Sequence, residues 1–117
     1  MNFKKAREFC TQLRGVTVDT KWGSDLVFSV GEKMFAVTGQ EAGHERGFSF
    51  KVDDERFLEL TDRPGIIPAP YLARAKWVRV EDIAVLGDAE AKALLQRSYA
   101  LVFAKLTKIK QKEIGHD

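Results

Sequence analysis

Few residues of this chain belong to the types that do chemistry or staple folds. There is one cysteine among 117 residues, Cys10, so no intrachain disulfide can form and the fold must rest on a core. There are two histidines, His44 and His116, so a histidine-rich metal centre or a His-based catalytic dyad has little to draw on. No Gly-rich phosphate loop, zincin motif, CxxC or GxSxG is present. No run of about 18 apolar residues occurs, which leaves no membrane-spanning helix to expect. The segment MNFKKAREF lacks an apolar signal-peptide core, so a cytoplasmic location is expected. All three prolines, Pro64, Pro68 and Pro70, fall within seven positions of one stretch, RPGIIPAPYLARAKWVRVE at 63–81. The break that proline imposes on helices is therefore confined to that stretch, which can be an active-site loop, a nucleic-acid contact or a stiff connector.

The rest of the chain carries the patterns of one α+β domain over residues 1–117, a length that can bury a sizeable core. Residues 2–14 predict a helix, with Asn2 as cap, Gly15 as stop and Phe3, Ala6, Cys10 and Leu13 on one side. Cys10 then lies on the apolar side and reads as a small hydrophobe, not a nucleophile. Four short strands follow at period two. Val16, Val18, Thr20 and Trp22 share one parity. Leu26, Phe28 and Val30 share another. Met34, Ala36 and Thr38 alternate with Phe35 and Val37, and Phe48, Phe50 and Val52 with Ser49 and Lys51. Gly31-Glu32-Lys33 makes a tight hairpin and GQEAGHERG at 39–47 a longer one, so an antiparallel meander is expected. A second helix is predicted over 54–62 behind Asp53, a strand near 76–80, and a last helix starting at Asp88 as its N-cap. Its stripe is Leu95, Tyr99, Val102, Leu106 and Ile109, with Arg97, Lys105, Lys108 and Lys112 within about an 80° arc beside it. The order is α-β-β-β-β-α-β-α, giving a two-layer sandwich in which a twisted antiparallel sheet of about five strands is packed by N- and C-terminal helices.

The net charge of +2 is unevenly spread: residues 1–22 carry +3, 23–62 carry −5, 63–80 carry +4, 81–96 carry −3 and 97–117 carry +3. Catalytic candidates are thin. Ser24, Ser29, Ser49 and Ser98 have no base and orienter beside them in sequence, so no enzyme activity is expected. Glu41, His44 and Glu45 lie in a loose loop tip, a poor ligand cage, so neither a metal nor a cofactor is expected. Asp53-Asp54-Glu55 opens a helix, where carboxylates favour the dipole. What remains is aromatic and basic. Trp22 follows Lys21, and Trp77 follows Lys76 between Arg74 and Arg79. Indoles can stack on bases and cations can neutralise phosphate, although tryptophans at strand ends also serve as core plugs.

The segments KMFAV at 33–37, RPGIIPAPYLARAKWVRV at 63–80 and RSYALVFAKL at 97–106, with RGVTVDTKWG at 14–23, resemble the MmcQ/YjbR family of small bacterial proteins across nearly the whole chain. Lys76 stands where many members carry a histidine. The resemblance implies a frataxin-like, "double wing" fold, with DNA binding as the associated expectation and no catalytic residue set. Frataxins use an acidic first helix for iron. Here Lys4, Lys5 and Arg7 outweigh Glu8, which disfavours iron delivery.

The expectation is therefore a monomeric DNA-binding protein. Lys21, Trp22, Arg74, Lys76, Trp77 and Arg79 are the first candidates and Lys105, Lys108 and Lys112 the second. The bases would neutralise phosphate and the tryptophans would stack or wedge. Two rivals stand beside it: a protein-interaction module using an exposed sheet edge, and a small-ligand binder or enzyme with a pocket beneath the proline-rich crossing. Pro64, Pro68 and Pro70 would make that crossing rigid, with Tyr71 pinning it to the core.

Overall fold

The computed structural model describes residues 1–22, 25–39 and 47–115. The glycine-rich connection, with Glu41, His44 and Glu45, lies outside the described residues, as do Ser24 and His116. Helix α1, Phe3–Gln12, starts where the Asn2 side chain accepts from the Lys5 amide, and it buries Ala6 and Cys10. The meander follows as β1, Val16–Lys21, β2, Asp25–Val30, β3, Lys33–Gly39, and β4, Phe48–Lys51, each antiparallel to the next. The turn from β2 to β3 puts two residues, Gly31 (φ 57°) and Glu32 (φ 67°), in left-handed backbone, which matches the twist of the flanking strands.

Helix α2, Asp54–Thr61, leads through the proline stretch to β5, Ile66–Pro68, and then to β6, Trp77–Val80. The sheet order is β1-β2-β3-β4-β6-β5. Among the described residues six strands therefore form where about five were expected. The sixth escapes the proline rule because it lies outside β6 at the sheet edge, where a residue without an amide proton is tolerated. Asp53 stands before α2 but does not cap it with its side chain. Its carboxylate instead accepts two hydrogen bonds from Arg97, at 2.8 and 2.9 Å.

Two helices, α3 (Asp88–Ala104) and α4 (Lys108–Ile114), replace the single last helix that the stripe predicts. Gly87, not Asp88, occupies the position before α3. The break has a local cause. Thr107 accepts from the Lys110 amide and caps a new helix, while Gln111 Nε2 donates to the carbonyls of Phe103 and Leu106 where α3 gives way to α4. Ile109 is consequently exposed, and Arg97, Lys105, Lys108 and Lys112 do not share one helical face.

Helices α1 and α3 lie over one side of the sheet, and the main core sits between them: Phe28, Phe35, Phe48 and Phe50 with Leu95, Ala6 and Cys10. The register slips between Phe28 and Ser29 opposite Met34–Ala36, so Phe35 and Ala36 are both buried and the expected alternation fails there. Ser98 of α3 bridges the same region. Its hydroxyl donates to the Phe35 carbonyl at 2.6 Å and accepts from the Lys51 amide at 2.9 Å, joining β3 to β4. No helix among the described residues is long and apolar enough to cross a membrane.

Candidate functional site on the open face of the sheet

Directly paired residues of an antiparallel sheet project to the same side. The register therefore assigns the helix-free side. Val27, Val37, Ser49, Arg79 and Ile67 form one row across β2, β3, β4, β6 and β5. The next row holds Ser29, Met34, Lys51 and Trp77. Val27, Ser29, Ser49 and Trp77 are buried although α1 and α3 lie over the opposite side.

A groove of about 510 Å³ runs along the first row. Met34, Val37, Ser49 and Arg79 belong to its sheet side. Ala69, Pro70, Tyr71 and Leu72, from the proline-rich crossing, line it together with Trp22 and Asp25. The two aromatics are held unusually. Trp22 has φ 53° and Tyr71 φ 66°, both in the left-handed region that costs a residue with a side chain about 1 kcal/mol or more. Trp22 is 66% exposed and Tyr71 fully exposed. Trp22 thereby leaves the parity it shares in sequence with Val16 and Val18 and joins the opposite face. Tyr71, expected to pin the crossing to the core, stands out from it. Ala69 carries that anchoring instead: it is buried, and its amide donates to the Trp77 carbonyl at 3.0 Å.

Arg79 is half-buried and enters no ion pair among the described residues. Its guanidinium lies against the Gly47 backbone, where a Cβ would stand 2.6 Å from Nη2. That approach requires a residue without a side chain at 47.

The nine predicted residues do not converge on one place. Trp22 and Arg79 line the groove, and Lys21 pairs in register with Asp25 at its rim. Trp77 is buried, so it cannot present an indole face for stacking. It lines a second cleft, of about 330 Å³, shared with Lys105. Arg74 is exposed on a 3-10 turn at Ala73–Ala75, and Lys76 ends that turn in left-handed backbone with its Nζ 5.1 Å from the Phe57 ring centre. Lys108 and Lys112 sit on α4 and line neither cleft.

Sequence reasoning missed Tyr71, Lys33 and Lys51. Lys51 had a readable signal, since it alternates with Phe48 and Phe50 and so had to face away from the core. Of the serines, Ser98 is occupied structurally and Ser49 lines the groove. The Cys10 thiol is pushed up to about 12 by burial, in keeping with an unreactive core residue. Among the described residues no three His, Cys, Asp or Glu side chains gather where they could hold a metal.

Comparison with known proteins places this architecture. No curated protein matches the chain. The crystal structure of a structural-genomics target from Pseudomonas syringae aligns with a TM-score of 0.71 and 22% identity, over 87% of this chain and 99% of that one. At that identity the likeness shows a shared fold. The family model described as YjbR matches residues 11–101, a span that contains every strand of the sheet and the whole Trp22–Tyr71 groove, and the chain accordingly belongs to the YjbR family.

Proposed function

We propose that the protein is a non-catalytic nucleic-acid-binding domain that receives unpaired bases on the open face of its sheet, with DNA as the expected partner. The observation that carries this reading is the pair Trp22 and Tyr71. Both are exposed, both sit in left-handed backbone, and both line the groove that holds the Arg79 guanidinium. Backbone strain at two exposed aromatics that border one groove supports a recognition role. Aromatic faces on a sheet beside a cation are the usual means of holding single-stranded bases, each stack contributing about 1–3 kcal/mol. Lys21, paired in register with Asp25 at the rim, would meet phosphate.

A binding titration across a salt series tests the reading. A short oligothymidylate should quench Trp22 fluorescence, and its affinity should fall with salt by about 0.7 logarithmic units per decade for each phosphate neutralised. Single strands should bind more tightly than duplex of the same length. Trp22→Ala should weaken binding about tenfold, the loss of one stacked base. Salt-independent or absent binding at low ionic strength would sink the proposal.

One observation favours a second reading. Val37, Ala69, Pro70 and Leu72 make much of the groove apolar and place it beneath the proline-rich crossing, which also suits a small planar ligand with one negative charge. Binding of a free nucleobase derivative at the same site, without oligonucleotide binding, would select it.

A further inference from the structure

The second cleft lies one row along the same sheet, where β3, β4 and β6 meet the end of α3. It is lined by Lys33, Lys51 and Lys105 over a base formed by Met34, Trp77 and Leu106. No acidic residue lines it, and none of the three lysines enters a salt bridge among the described residues. Lys51 is fixed in place, its Nζ donating to the Ala75 carbonyl. Burial first, and then the charge of Lys105, hold the Lys51 ammonium below its usual range, with Asp54 the carboxylate that partly offsets them. Like charges brought together and only partly compensated lower stability unless something else offsets them.

We propose that this cleft is a binding site for a small oligophosphate anion, with Lys33, Lys51 and Lys105 supplying the positive charge. A compact ligand with several negative oxygens offsets all three ammonium groups at once, which no carboxylate among the described residues does by an ion pair. The site is distinct from the aromatic groove, since the two share Met34 but no charged residue.

Calorimetric titration of the full chain with inorganic pyrophosphate tests this. Saturable one-to-one binding is expected at low ionic strength. Lys51→Gln and Lys105→Gln should each weaken it at least tenfold, while Lys112→Gln, on α4, should leave it unchanged. Lys105 is exposed at the end of α3, so its variant keeps the test valid should Lys51→Gln disturb the Ala75 contact. Pyrophosphate should also raise the titration midpoint of the Lys51 ε-methylene signals, since an anion opposes the effect of Lys105. Absence of saturable binding overturns the proposal, as does an equal loss in Lys112→Gln, which would mean diffuse attraction.

A competition arm separates the phosphate source. If an oligonucleotide displaces pyrophosphate and the lysine variants lose both ligands alike, the lysines belong to a nucleic-acid surface and the separate site is refuted. Pyrophosphate binding that persists in a protein with no oligonucleotide affinity would uphold the cleft while removing the function proposed above.

Discussion

The two faces of one sheet obey different rules. Under α1 and α3 the strands present Leu26, Phe28, Val30, Phe48, Phe50, Val78 and Val80, all buried. Phe28 packs against Phe35 and Phe48 with ring centres 6.5 and 6.3 Å apart. The opposite face mixes Val27 and Trp77 with Ser29, Ser49, Lys51 and Arg79, and strained aromatics border it instead of a helix. Burial on the first face removes apolar area from water and supplies most of the stability. On the second, desolvated polar groups and cations stand beside exposed rings, an arrangement that adds little to stability and favours recognition.

Substitutions can break this comparison, and the largest effect belongs to the covered face. Phe48→Ala should cost about 4 kcal/mol in denaturant unfolding, because the ring contacts both Phe28 and Phe3 and the site cannot collapse around the void. A cost near that of a surface change would mean the core is not centred there. Ser98→Ala should cost about 2 kcal/mol, since it leaves the Phe35 carbonyl and the Lys51 amide without their bridge. Serine-to-cysteine exchange at that position should recover only part of it.

On the open face the expectation reverses. Trp22→Ala and Tyr71→Ala should change unfolding free energy by less than about 0.5 kcal/mol while weakening oligonucleotide binding, and a variant losing stability without losing affinity would count against the assignment. Gly47→Ala should act more subtly, displacing the Arg79 guanidinium and reducing affinity a few-fold with little change in melting. Native-state thiol labelling of Cys10 should be slow and accelerate on denaturation, because burial raises its pKa to about 12.

The smallest effect concerns the Asp53–Arg97 pair. Hydrogen bonding from Arg97 holds the Asp53 carboxyl below its usual range. A depressed carboxyl contributes stability that is fully present above the unfolded-state pKa and is lost as pH falls through the lowered folded value. Arg97→Ala should therefore flatten the acid side of the stability profile slightly, by an amount reduced by the exposure of Arg97.

Much of the covered face was legible because its signal is local. Phe48-Ser49-Phe50-Lys51 states a strand with one apolar side, and Asn2 before an apolar stripe states a capped helix. The candidate site was legible only in part. Lys-Trp at 21–22 and Lys-Trp at 76–77 look alike in sequence, yet Trp22 is exposed and Trp77 buried. Nothing within either segment distinguishes them, because what decides is the backbone turn at Trp22 and the place of β6 between β4 and β5. The basic arc on the last helix failed for a nearby reason: Thr107 offered the chain a new cap, and a wheel drawn through it no longer applied.

The order of the elements other than β5 and α4, the antiparallel pairing of the meander and the burial of Cys10 were determined by the sequence itself, since periodicity, turn residues and caps act over a few residues and need no distant partner. Tertiary structure alone decided the rest. It put a proline-containing strand at the sheet edge, turned Trp22 and Tyr71 out around Arg79, buried Trp77, and brought Lys33, Lys51 and Lys105 to one cleft from distant parts of the chain. Charge and exposure at those positions depend on which strands neighbour one another, a property fixed by long-range packing and not carried by any one segment.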